Sequence, residues 1–191
     1  MSEKVPCKEC QAMILPSTAE KNDGLCLPCK NGYRESIEQG KEYREREKEL
    51  DRTCPFRAKW REVAGKVIDA DGELILLDED EKLYYSVQIM IGEIHNGGFS
   101  QYFFNSASDH YRYAELALIQ MGAKHSLKLT RKAKKRAFGF RSVPVDRTKR
   151  QLLFKENCEL DSLDAEFYKD LDSLDEKIYE FAVSKGIVCS A

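Results

Sequence analysis

The clearest chemistry in this 191-residue chain lies in its cysteines, of which there are seven. Four of them form two pairs, Cys7-x2-Cys10 and Cys26-x2-Cys29, with fifteen residues between the pairs. A CxxC spacing lets a tight knuckle aim two sulfurs at one ion, and two knuckles close a tetrahedral shell of thiolates. Zn2+ favours soft sulfur ligands in that geometry, and iron accepts the same set. Four protein ligands leave no open position, so the expectation is a single structural Zn2+. Lys4, Lys8 and Lys30 are placed to offset the thiolate charge. Disulfides need an oxidising compartment. A redox CxxC opens a helix after an apolar strand, and neither CKEC nor CLPC has that setting. Cys54, Cys158 and Cys189 lie far apart and read as buried or idle thiols.

No other residues assemble a catalytic pattern. His95, His110 and His125 form no HExxH. His95 and Glu93 are two apart, and residues so spaced do not face each other on a helix. There is no nucleophile elbow and no P-loop, so no catalytic residue is expected and the chain reads as non-enzymatic. Asn96, Gln101 and Asn105 sit in NGGFSQYFFNS, and their amides can donate and accept towards a peptide or a base edge. In the competing reading, which the aromatic spacing favours, Asn96-Gly97-Gly98 caps a helix. Gln101, Asn105 and Ser106 then tie a turn to the backbone, and Phe99, Tyr102, Phe103 and Phe104 are core.

The net charge of −2 conceals a segregation. Lys+Arg against Asp+Glu is 9 to 10 over residues 1–50, 6 to 11 over 51–110, 13 to 2 over 111–155 and 3 to 10 over 156–191. Such asymmetry marks a binding face, or segments that neutralise one another. The basic residues Lys128, Arg131, Lys132, Lys134, Lys135 and Arg136 read as covering most of a helix circumference with few aromatics between them, which suits phosphate contact rather than base reading.

These residues need elements to hold them. Residues 1–32 form the cysteine module, with a short strand, a turn at Asn22-Asp23-Gly24 and a return. Such a segment cannot bury a core without its metal. Residues 33–53 are almost wholly polar and read as an exposed helix or semi-rigid linker. From residue 54 to 191 the periodicity is helical. Phe56, Trp60, Val63, Ala64 and Val67 share one stripe, and Leu83, Val87, Met90, Ile91 and Ile94 another. A helix over about 80–95 starts at the acids Asp78–Glu81, which suit its dipole, and ends at Asn96-Gly97-Gly98. Leu116, Ala117 and Ile119 mark the next. Basic residues 125–138, then 146–157 and 172–185, follow. Only GELILL at 72–77 competes as a strand. The fold class is therefore an all-α main domain behind a small zinc-knuckle or zinc-ribbon module. No apolar stretch long enough for a membrane span occurs. The first residues carry no secretory h-region, so a cytoplasmic protein is expected.

The string Glu93-Ile94-His95-Asn96-Gly97-Gly98-Phe99-Ser100-Gln101-Tyr102-Phe103-Phe104-Asn105-Ser106 resembles the C-terminal domain family of a bacterial DNA-mimic protein. So does Leu160-Asp161-x-Leu163-Asp164-x-x-Phe167-Tyr168 with its spacing to Leu174, Ile178 and Tyr179. The similarity covers roughly residues 55–186. The cysteine module, with ILPSTA and GLCLPC, resembles a metal module sometimes fused ahead of such domains. The resemblance implies an all-α fold, no catalytic activity, and a protein partner: a basic DNA-binding regulator or nuclease drawn to acidic bait. The bait residues would be Asp161, Asp164, Asp172, Asp175 and Glu176, joined by Glu159, Asp170 and the acids at 78–81. Mimicry calls for a uniformly acidic surface, and residues 124–150 depart from one. The alternative is therefore a nucleic-acid-binding protein that uses the cysteine module and the basic helix 124–136.

Overall fold

Proline and hydrogen-bonded turns organise the first fifty residues. In the computed structural model, which describes residues 3–154 and 159–189, the chain divides into Met1–Cys54 and Pro55–Ala191. In the first unit β1 (Val5–Pro6) pairs antiparallel with β2 (Met13–Ile14), Val5 opposite Ile14. The chain then turns into α1 (Pro16–Lys21), a helix where a short strand was expected ahead of the Asn22-Asp23-Gly24 turn. Pro16 presets the first helical φ, and its missing N–H is one the helix start leaves free anyway. The helix stops at Asn22-Asp23-Gly24, where Asp23 and Gly24 take φ of 54° and 85°. A second proline-led turn, α2 (Leu27–Lys30), carries Cys29. The polar segment is one continuous helix, α3 (Arg34–Thr53), with no buried residue. Surface pairs such as Arg34–Glu38, Lys48–Glu45 and Arg52–Glu49 line it. Among the remaining cysteines Cys54 is half-buried and Cys189 exposed, while Cys158 lies outside the described residues.

Every regular element among the described residues of the second unit is a helix, and its fold class agrees with the expectation. Its centre is α5 (Glu79–Phe104), against which α4 (Pro55–Asp69), α6 (Tyr111–Gln120), α8 (Arg147–Leu153), α9 (Asp161–Phe167) and α10 (Leu174–Ser184) pack. The basic helix α7 (Lys124–Phe138) lies against α6 and α9. Segment 72–77 is a run of turns that buries Leu74 and Leu77 and exposes Ile75 and Leu76, so no strand forms there. An Asp78/Glu81 capping box opens α5. Glu81 is itself buried and binds Lys66 at 2.8 Å and Lys59 at 3.0 Å, clamping α4 to α5. Burial alone would raise the Glu81 pKa; the Lys66 and Lys59 ammoniums outweigh it and hold the carboxyl below its usual range.

Two stripes differ from the periodicity reading. In α6 the buried residues are Tyr111, Ala114, Ala117 and Leu118, whereas Leu116 and Ile119 are exposed. A small apolar residue such as Ala114 holds the close helix contact, and larger ones nearby are left outside. Trp60 is half-buried and stacks on Tyr85 at 5.6 Å. Phe99, Tyr102 and Phe103 are buried, but Phe104 is 40% exposed and leans on Phe154. The expected helix over 146–157 ends at Leu153, and residues 155–158 lie outside the described residues.

Candidate metal centre, the NGGF turn and the charged faces

The Cys7, Cys10, Cys26 and Cys29 sulfurs all lie within 4.8 Å of one another. The Cys10 and Cys26 sulfurs are 3.6 Å apart, far beyond a disulfide bond of about 2.05 Å. Tetrahedral Zn–S bonds of about 2.3 Å put neighbouring sulfurs about 3.8 Å apart, so the four cysteines can hold one metal ion. The β1–β2 hairpin and the start of α2 present the sulfurs. The Cys26 N–H donates to Cys7 Sγ at 3.2 Å. Backbone amides of Cys10 and then Cys26 lower the Cys7 thiol to about 6, and the Cys29 amide lowers Cys26. Burial pushes Cys29 up. Knuckle amides therefore favour thiolate at the first cysteine of each pair.

The cation on these sulfurs is one the spacing did not single out. Arg34, the first residue of α3, donates to Cys10 Sγ at 3.0 Å and Cys26 Sγ at 3.3 Å. Lys30 instead turns to Asn22 Oδ1 at 2.8 Å. The Lys8 side chain covers Gly24, where a Cβ would meet it. Arg34 stands five residues after Cys29, and that position is its only trace in the sequence.

The NGGF turn breaks the helix that starts at Glu79, as expected, and a second helix follows at once, so α5 is two helices joined at a kink. Gly97 and Gly98 leave helical geometry, Gly98 at φ 73°, and the chain re-enters the helix at Phe99. The Asp164 carboxylate accepts the Phe99 N–H at 2.8 Å and so caps the restarted helix from 65 residues away. The Tyr168 hydroxyl donates to the Ile94 carbonyl at 2.9 Å, and His95 stacks on Tyr168. Gln101 and Asn105 do not tie the turn to the backbone. Both side-chain amides donate to Glu93 Oε2, at 2.8 and 2.6 Å. Asn96 is exposed. Glu93 lines a cleft of about 460 Å³ with Asp71, Glu73, Asp109, Tyr85 and His110. Burial lowers the His110 pKa, which keeps its imidazole neutral near pH 7.

The tail acids take two kinds of position. Asp164 is spent on Phe99, Asp172 accepts the Ser126 N–H at 2.7 Å at the start of α7, and Asp170 accepts the Leu174 N–H. Asp161, Asp175 and Glu176 are exposed and form no ion pair among the described residues. Of the acids at the α5 start, Asp78 caps, Glu81 is buried, Glu79 pairs with Lys82 and Asp80 with Lys185.

The cations of α7 leave only its buried side free: Lys134 and Arg136 flank the others, and Arg136 donates to the Glu159 carbonyl and the Ser162 hydroxyl. Ser126, Leu129, Thr130, Ala133, Ala137 and Phe138 are buried. Lys124, Lys128, Arg131, Lys132 and Lys135 line one shallow groove of about 370 Å³ floored by Leu127. Arg150, in the same basic stretch of sequence, is 1% exposed and binds Asp109 and the carbonyls of Asn105, Pro144 and Val145.

No described helix is long and apolar enough to cross a membrane. A family model described as DMP19-like protein matches residues 76–185. The match takes in α5 through α10 and leaves α4 outside it. No curated protein and no solved structure matches the chain.

Proposed function

The chain belongs to the DMP19-like protein family, and from that premise we propose that it is a non-catalytic interaction protein that binds a basic DNA-binding protein in place of DNA. One observation supports the reading most directly. Asp161 on α9, with Asp175 and Glu176 on α10, keeps its carboxylate exposed and outside any ion pair among the described residues. Acids already joined to lysines offer a basic partner little field; these three keep theirs and can steer its approach. The cleft that Asp71, Glu73 and Glu93 line can take a cationic side chain of the same partner. Zn2+ is the metal proposed for the four cysteines, with a structural role.

The test is direct titration of the full chain against a panel of small basic DNA-binding domains, with no DNA present. At least one should bind, more weakly at higher salt. Asp161→Asn, Asp175→Asn and Glu176→Gln together should weaken that complex about tenfold, which corresponds to about 1.4 kcal/mol. The proposal fails if no domain binds, or if the triple variant binds as well as the parent chain.

A further inference from the structure

We propose that the exposed face of α7 is a docking stripe for the phosphate backbone of duplex nucleic acid. The proposal rests on different residues from the acidic reading and does not depend on it. At about 3.6 residues per turn, positions 124, 128, 131, 132 and 135 fall within an arc of about 100° on the helix surface. The helix cannot turn them away, because Leu129, Ala133 and Ala137 are buried on its other side. From Lys124 to Lys135 the stripe runs about 16 Å at about 1.5 Å per residue. A duplex presents one phosphate charge per about 1.7 Å of axis, so several phosphates fall within its reach.

The stripe is also free to act. Arg131 is held by Glu115 at 2.7 Å. Lys124, Lys128, Lys132 and Lys135 form no ion pair among the described residues. Two tail acids reach α7, Asp172 at the Ser126 N–H and Glu166 beside His125 and within the field of Lys132, but Glu166 forms its ion pair with Lys169, Asp164 accepts the Phe99 N–H, and none is in an ion pair with a lysine of the stripe. There is no Asp or Glu anywhere in α7.

The chemistry of the stripe favours nucleic acid over a protein partner. Lysine is depleted in protein–protein interfaces, whose buried centres are apolar and aromatic. Here the groove offers Leu127 and otherwise cations. Nucleic-acid interfaces are strongly positive and tolerate a wet, polar contact. Lysine is a flexible point charge without the fork that reads guanine, so the contact is with phosphates and carries no sequence preference.

The experiment follows a labelled duplex by fluorescence polarisation, with the full metal-loaded chain. Four phosphate contacts predict a slope of log K on log salt near −3.6, which is about a hundredfold weakening between about 50 and 200 mM salt. Lys128→Glu, Lys132→Glu and Lys135→Glu together should abolish binding, with the melting temperature unchanged. If that variant folds poorly, the three Lys→Gln changes at the same positions should lower the slope to about −1. The Asp161, Asp175, Glu176 variant should bind duplex at least as well as the parent chain. Three results overturn the proposal: salt-independent binding; parental affinity in the Lys128, Lys132, Lys135 variant, including the case where Cys10→Ser alone removes it; or no duplex binding at about 50 mM salt, with or without a low-salt dimer that the lysine variant abolishes. Such a dimer would assign the stripe to the acidic tail of a second copy.

Discussion

A Cβ on Gly98 would stand 2.7 Å from Cγ of Asp164, the residue that caps the helix restarting at Phe99. Gly98 is needed twice over: for φ 73°, which side chains resist, and for the space the carboxylate fills. Gly98→Ala should destabilise the body by about 1–3 kcal/mol from backbone strain alone, with the displaced cap adding to it. In Asp164→Ala the steric part is already gone, so the same glycine change should cost less. A double-mutant cycle by urea denaturation reads the difference, and additive costs would show that the close approach is without consequence.

Two carboxylates in the body should respond to pH in opposite directions. The lysines hold Glu81 below its unfolded pKa of about 4.3, so its contribution is present above that value and is lost as pH falls through the folded one. Burial, only partly offset by the Phe99 N–H, raises Asp164 above its unfolded pKa of about 3.9. Its contribution is greatest below that value and declines as pH rises through the folded one. Urea midpoints of Glu81→Gln from about pH 3 to 7 should lose part of the acid fall, and those of Asp164→Asn should lose the opposing slope. The same pH curve in parent and variants would contradict both assignments.

Metal analysis of the purified chain should give about one equivalent of Zn2+. Cys10→Ser should release it and unfold the Met1–Cys54 unit while the melting of the body persists, since structural metal binding is folding energy for so short a segment. Arg34→Met should keep the stoichiometry and lower metal affinity by about 10–100-fold, the usual cost of losing a partner hydrogen-bonded to the ligands. A metal-free native protein would rule out the structural metal, and an Arg34 variant of undiminished affinity would remove the guanidinium from the site.

What the sequence made legible follows from how local each signal is. The CxxC spacing and the α4 and α5 stripes are set by residues within a turn or two, and both point the right way. The α6 stripe shifted because Leu116 and Ile119 are apolar without being buried, and only tertiary packing decides which apolar face turns inwards. The strand expected ahead of the Asn22-Asp23-Gly24 turn gave way over 16–21 to a helix, for which Pro16 presets the first φ. The long-range partners were invisible: Asp164 on Phe99, Asp172 on Ser126 and Arg34 on the cysteines each join residues brought together only by folding. Counting charge along the chain also missed that Lys124, Lys128, Arg131, Lys132 and Lys135 share one face of α7 while Leu129, Ala133 and Ala137 are buried on the other.

Arg150 provides a last test, because its charge belongs to the basic stretch of sequence and not to the basic surface. Its guanidinium is buried against Asp109 and the carbonyls of Asn105, Pro144 and Val145. It therefore ties segment 144–150 to the turn that follows α5. Arg150→Met leaves those acceptors unpaired in a desolvated place and should cost about 3–5 kcal/mol of stability. Asp109→Asn should reduce that penalty in the double variant, since less charge is then stranded. At temperatures where Arg150→Met stays folded, its affinity for duplex should match that of the parent chain. A fall comparable with that of the Lys128, Lys132, Lys135 variant would mean that Arg150 acts at the phosphate contact rather than within the fold.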